Sequence, residues 1–365
     1  MYKGSPFILS SFSIQKSLYL KDYKFSRTAS NFKHSSGVAL RKNTKSVIKA
    51  SLGEHLERVA AAKNYAKTFI DPTHPTWPGF NLVTGEEVDI PVERLFLNLD
   101  LPMLKFLHNK DHLFNDSCGL ASHVQSFDAI KNGFNEFIER QSLIYNWLSQ
   151  SQGRKINLVE IDQIEVNDEL KNILQIARHF SDEIHAFEIS LINGFFVVLT
   201  IGYKGAAFSS GLGADSNILK ALESSLNEYL MILDSCLSIK ASPQYLKSRR
   251  DNIYTAFYLM DVEGFWDKFN YLIQSSDYID IKSSTCNVVN FQDLVKKAHD
   301  KFQIDIHCCY LPFPLKEINV KVVKVYSPDA YPHIWTKIFD PSDYKITKQL
   351  PPTAFPNRYQ TIPFA

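Results

Sequence analysis

The stretch TKSVIKASLGEHLERVAAAKNYAK, residues 44–67, carries an unbroken helical period. Ile48, Leu52, Leu56 and Val59 recur three and four residues apart and form an apolar stripe, while Ser51, Glu54, Glu57 and Arg58 project together from another face. Two further stretches repeat the theme. Over 126–149, Ile130, Phe134, Phe137, Ile138 and Ile144 make the stripe and Asp128, Glu136, Glu139 and Arg140 lie away from it. Over 216–233, Leu222, Leu226 and Leu230 face inward and Ser224, Ser225 and Glu228 share the opposite side. Around these helices lie β-rich runs at 185–191, 195–203 and 319–325, the first two joined by Asn193-Gly194, a pair suited to the positive φ angles of a tight hairpin turn. Helices and strands so interspersed predict an α/β or mixed α+β architecture. No Gly/Ser linker, low-complexity tract or internal repeat is evident, so one large domain over 1–365 is expected.

A chain of 365 residues that is 45% apolar can bury a large core. Its net charge of +1 hides an asymmetry: residues 1–67 hold thirteen Lys or Arg against Asp22, Glu54 and Glu57. A basic arm over 1–35 is the plain reading, and a role in nucleic-acid binding rests on this charge alone. The five cysteines form no CxxC pair, which argues against a disulfide framework or a zinc site. There is no signal-peptide pattern, and the longest apolar run, 195–200, is too short to cross a bilayer. A soluble, cytoplasmic protein without membrane or nucleic-acid partners is expected.

A polar helix face is ordinarily a solvated surface, and periodicity cannot show whether these three faces converge. If they do, crowded carboxylates repel one another unless protonated or bridged by cations. Carboxylates without His or Cys partners suit hard cations such as magnesium. The Glu-x-x-His pairs of di-iron bundles are absent, as is the GxxxxGK[ST] phosphate loop, and Gly211-Leu212-Gly213 is too little to replace it. Any nucleotide site is therefore of an unusual kind.

Ser51-Leu52-Gly53-Glu54-His55-Leu56-Glu57-Arg58 matches in full the SxxExxER signature of the YcaO family. Glu136-Phe137-Ile138-Glu139-Arg140 matches its ExxER element, and Ser225-Leu226-Asn227-Glu228 resembles the SxxE of its third. Asp116-Ser117-Cys118-Gly119, the run 137–143, Ser327-Pro328-Asp329 and the ending Ile362-Pro363-Phe364-Ala365 are similar to the microcin-type, azoline-forming members. The resemblance implies a YcaO-type fold with ATP and Mg2+ as cofactors. It implies Glu54, Glu57, Asp128, Glu136, Glu139 and Glu228 as metal ligands. Ser51, Arg58, Arg140 and Ser225 would join the glutamates in nucleotide binding, with Arg58 and Arg140 serving the chemistry as well.

Four positions depart from the family pattern. Ala121, Val124 and Asp128 stand where many members carry SxxNxxxE, and Met231 stands where the third element often ends in Gln. The tail over 346–365, with Pro351, Pro352, Pro356 and Pro363, resembles tails whose terminal carboxylate acts as a base, a role that would fall to Ala365. The activity implied is ATP-dependent cyclodehydration of Cys, Ser or Thr in a precursor peptide. The implied partners are an E1-like, leader-recognising protein and an FMN-dependent azoline dehydrogenase. A catalytically silent scaffold, or an enzyme making thioamide or amidine, are the other readings.

Overall fold

The computed structural model describes residues 9–30, 36–70, 76–92, 95, 117–240, 257–284, 289–313, 319–332, 336–337, 339–348 and 355–364. Asp116, Cys286, Pro351, Pro352 and Ala365 lie outside them. The elements run β1 (Leu9–Lys16), β2 (Lys24–Ser30), β3 (Ser36–Arg41), α1 (Thr44–Ile70), β4 (Thr76–Asn81), β5 (Glu87–Pro91), β6 (Leu120–His123) and α2 (Ser126–Ser149). They continue β7 (Arg154–Ile156), α3 (Asp168–Phe180), β8 (Glu183–Glu188), β9 (Phe196–Lys204), β10 (Ala207–Asp215) and α4 (Ile218–Lys240). Last come α5 (Val262–Ile273), α6 (Phe291–Phe302), β11 (His307–Tyr310) and β12 (Lys321–Tyr326). The mixture of helices and sheets is the one expected, and every pairing between these strands is antiparallel.

The chain forms two compact units, with the division inside α2 between Phe137 and Ile138. In the first unit the meander β1-β2-β3 is followed directly by α1, and a five-stranded sheet has the order β5-β4-β11-β12-β6. Helix α1 is buried on two sides. Leu56, Val59 and Ala60 join a core with Leu120, Cys309 and Val322 of the five-stranded sheet, while Ser51 and His55 sit at 0% exposure on the meander side. Strands β1 and β2 fall inside the segment read as a basic arm. Their alternation is legible in β2, where Ser26, Thr28 and Ser30 are buried and Arg27 is exposed. The charged residues belong to the outward positions of a pleated strand.

In the second unit the sheet order is β10-β9-β8-β7. The expected hairpin is present as β8 and β9, in register from Glu183 opposite Tyr203 to Glu188 opposite Val198. Its connection covers residues 189–195 instead of a two-residue turn, and Gly194 takes the positive φ of 87°. Strand β9 is buried from Phe196 to Gly202, and α4 packs across β9 and β10. Caps fix the outer helices: the side chains of Asn167, Asp261 and Asn290 accept N–H groups at the starts of α3, α5 and α6.

The same construction occurs once in each unit, which corrects the expectation of no internal repeat. Strands β2 and β3 pair antiparallel and lead into α1. Strands β9 and β10 pair antiparallel and lead into α4. Gly37 lies opposite Thr28 in one, and Gly211 opposite Thr200 in the other. A Cβ on Gly37 would collide with the Ser51 carbonyl oxygen and the His55 amide nitrogen; on Gly211 it would collide with the Ser225 carbonyl oxygen and the Tyr229 amide nitrogen. In both places glycine lets a strand lie directly on a helix backbone, at equivalent residues.

Candidate functional site

Ser51 and Ser225 are not on the projecting polar faces where the helical period puts them. Both are fully buried. Ser51 Oγ is 2.8 Å from Ser26 Oγ and 3.1 Å from Thr28 Oγ1. Ser225 Oγ is 2.6 Å from Thr200 Oγ1 and 2.9 Å from the Gly211 carbonyl oxygen. Partners from the neighbouring sheet satisfy the hydroxyls, so burial costs little. Ile48 is half-buried, and its neighbour Val47 fills the core.

The glutamates three residues on are held from the same strands. Glu54 Oε2 accepts the Val38 N–H at 2.6 Å, and its Oε1 lies 2.6 Å from Arg58, which also donates to the Ser36 carbonyl at 2.7 Å. Glu228 Oε2 accepts the Leu212 N–H at 2.5 Å, and its Oε1 lies 3.7 Å from Arg140. In each case the donor follows the strand glycine and an arginine faces the other oxygen.

Around Glu57 the first unit places Glu54 and Glu136. Glu57 Oε1 accepts the Ser122 N–H of β6 at 2.8 Å. Burial, then the negative charge of Glu136 and more weakly that of Glu54, push the Glu57 pKa up to about 8, against the hydrogen bonds from Ser122. Beside them His55 stays neutral, because burial and the Arg58 charge lower its pKa to about 4. Asp128, in the first turn of α2, is two-fifths exposed and lies 3.3 Å from His123 Nδ1. The departures from the family pattern also have places: Ala121 is buried in β6, and Val124 is exposed.

In the second unit Arg140 is the centre of charge. It lies 3.8 Å from Glu139 Oε1, faces Glu228, and stacks its guanidinium over the Phe364 ring at 5.0 Å. The tail is held along α2. Asn357 Nδ2 donates to the Trp147 carbonyl at 2.9 Å, Gln150 donates to Asn357 Oδ1 at 2.9 Å, and Ile362 and Phe364 are buried. A separate cavity of about 360 Å³, lined by Tyr145, Asn146, Arg154, Glu188 and Ser190, contains none of the expected site residues.

Among the described residues no three His, Cys, Asp or Glu side chains form a ready-made metal cage. Mg2+ commonly takes one or two protein carboxylates and fills its remaining positions with water and phosphate oxygens. The raised Glu57 pKa is the matching electrostatic sign, since a bound cation would relieve the repulsion among Glu54, Glu57 and Glu136.

A family model described as YcaO cyclodehydratase, ATP- and Mg2+-binding, matches residues 31–330. The chain belongs to the YcaO family. Its family's cofactors are ATP and Mg2+. A curated relative, the microcin B17-processing protein McbD of Escherichia coli, is 29% identical over 157 residues, which are 41% of this chain and 37% of that protein. The alignment thus spans well under half of the relative's length. Among solved structures, the E. coli microcin synthetase McbBCD complex with pro-MccB17 bound contains a chain matching at a TM-score of 0.72 and 20% identity, over 98% of this chain and 100% of that one. YcaO from Methanopyrus kandleri bound with AMPPCP and Mg2+ matches at 0.66 and 15% identity, over 90% of this chain and 87% of that one. These likenesses establish a shared YcaO fold. No described helix is long and apolar enough to cross a membrane.

Proposed function

We propose that this chain is an ATP-dependent peptide cyclodehydratase. It converts Cys, Ser or Thr of a ribosomally made precursor to thiazoline or oxazoline within a synthetase complex. The observation that carries the reading is the grouping of Glu54 and Glu136 about Glu57, whose pKa is raised by burial first and by these neighbours second, a setting that suits a divalent cation. The substrate side chain adds to the preceding amide carbonyl, the amide oxygen takes the γ-phosphoryl group, and phosphate leaves as the ring C=N forms. Bound MgATP supplies the phosphoryl group that turns a poor leaving group into a good one.

The chain's own residues divide the work. Glu54, Glu57, Asp128, Glu136, Glu139 and Glu228 are the carboxylates that would ligate magnesium. Arg58 and Arg140 offset the charge of the phosphates. The Ala365 carboxylate takes a proton as the ring closes, a role supported by the seating of Ile362 and Phe364 in the second unit. The substrate is delivered by an E1-like, leader-recognising partner, and an FMN-dependent dehydrogenase oxidises azoline to azole. The setting is cytoplasmic.

Mass spectrometry of a precursor peptide co-expressed with this chain and its operon neighbours tests the reading, with Glu139→Gln as control. Glutamate-dependent loss of one water per ring at Cys, Ser or Thr is expected. Exchange of oxygen for sulfur would move the chemistry to thioamidation. An unchanged peptide despite ATP binding would leave a silent scaffold.

A further inference from the structure

Four residues that no functional role yet covers, Thr28, Gly37, Thr200 and Gly211, are fixed to the helices that carry Glu54 and Glu228. We infer that Thr28 with Gly37, and Thr200 with Gly211, are positioning residues that aim these two glutamates at MgATP by clamping the helix serine and backbone to the strand. The inference rests on the reading that Glu54 and Glu228 serve the nucleotide and its metal.

The two clamps share a common set of contacts. A threonine at 0% exposure on the middle strand meets a serine at 0% exposure on the helix, Thr28 with Ser51 and Thr200 with Ser225. The glycine opposite that threonine touches the helix backbone at the serine carbonyl and at the amide four residues on. The next strand residue, Val38 or Leu212, then presents its N–H to Oε2 of the glutamate three residues after the serine. One oxygen is tied to backbone while Oε1 is turned to an arginine. A carboxylate tied at one oxygen loses most of its rotational freedom, so its other oxygen is pre-aimed. The serines are fully buried and act through this clamp.

The clamps differ in redundancy. Ser51 keeps Ser26 at 2.8 Å besides Thr28, whereas Ser225 has only Thr200 as a hydroxyl partner among its described hydrogen bonds. The second unit is therefore the sensitive one.

The test is calorimetric titration of the full chain with ATP at graded Mg2+ concentrations, with thermal unfolding recorded for each variant. Thr200→Val should weaken Mg2+-dependent ATP binding about 10-fold, and Thr200→Ser should bring it back to within about 3-fold. Ser225→Ala, which removes both hydrogen bonds without adding bulk, should match Thr200→Val and serves in its place if the valine variant does not fold. A purely structural clamp would lower the melting temperature and leave the Mg2+ dependence of the folded protein untouched. Wild-type binding by folded Thr200→Val or Ser225→Ala would overturn the inference if Glu228→Gln binds weakly. Wild-type binding by Glu228→Gln as well would remove the reading on which it rests.

Discussion

The first and second units solve the same mechanical problem with different electrostatics. Each lays a helix on a β-meander through a strand glycine, buries a Ser–Thr pair, and ties a glutamate to the amide after the glycine. Ser51 and Ser225 then set a common frame, in which Glu57 of the first unit corresponds to Met231 of the second. At these matching positions the first unit therefore carries one carboxylate more, and burial first and its acidic neighbours second raise the Glu57 pKa. The second holds Glu139 and Glu228 around Arg140. The scaffold is repeated while the charge at matching positions differs.

The largest effect should come from the glycines, where the two units are most alike. Gly37→Ala and Gly211→Ala each press a methyl group into helix backbone, and each should cost about 3 kcal/mol in urea unfolding. A large inequality between them would break the equivalence. The next test concerns pH. A carboxyl raised above its unfolded value of 4.5 binds more protons in the folded state, so metal-free stability falls as pH rises from about 4.5 towards 8. Glu57→Gln should abolish that decline in a melting-temperature series, and Mg2+ with ATP at pH 7 should release a proton in wild type but not in the variant. An unaltered pH slope would mean that Glu57 is not the group responsible.

Met231→Glu sharpens the comparison by giving the second unit the missing carboxylate. Placed near Glu228, it should make the protein about 1 kcal/mol more stable at pH 5 than at pH 8, relative to Met231→Gln. Smallest is the contact under Arg140. Phe364→Leu keeps an apolar side chain but loses the ring face, and should cost about 1 kcal/mol by chemical denaturation.

The helices were legible in the sequence because each is long and periodic: α1 and α2 start where expected, and α4 extends the 216–233 run to Lys240. The glutamates and arginines were legible as a residue set, through the family signature. The burial of Ser51 and Ser225 was not, because helical period assigns a small hydroxyl residue to the polar side and knows nothing of a threonine on a strand more than twenty residues away. Strand β1, Leu-Ser-Ser-Phe-Ser-Ile-Gln-Lys, was obscured by the basic charge around it. One signal of the repeat was available: Gly37-Val38 and Gly211-Leu212 each stand fourteen residues before the Ser of a Ser-x-x-Glu. It involves too few residues to stand out without the sheet register that pairs each glycine with a threonine.

The central claim is that these tied glutamates hold the metal of MgATP. Crystals of the full chain grown with Mn2+ and a non-hydrolysable ATP analogue would test it by anomalous scattering. The account predicts metal peaks about 2.2 Å from carboxylate oxygens of the glutamate set, with phosphate oxygens completing the coordination. Nucleotide bound with metal peaks away from all of Glu54, Glu57, Glu136, Glu139 and Glu228, for instance in the cavity beside Arg154 and Glu188, would contradict it.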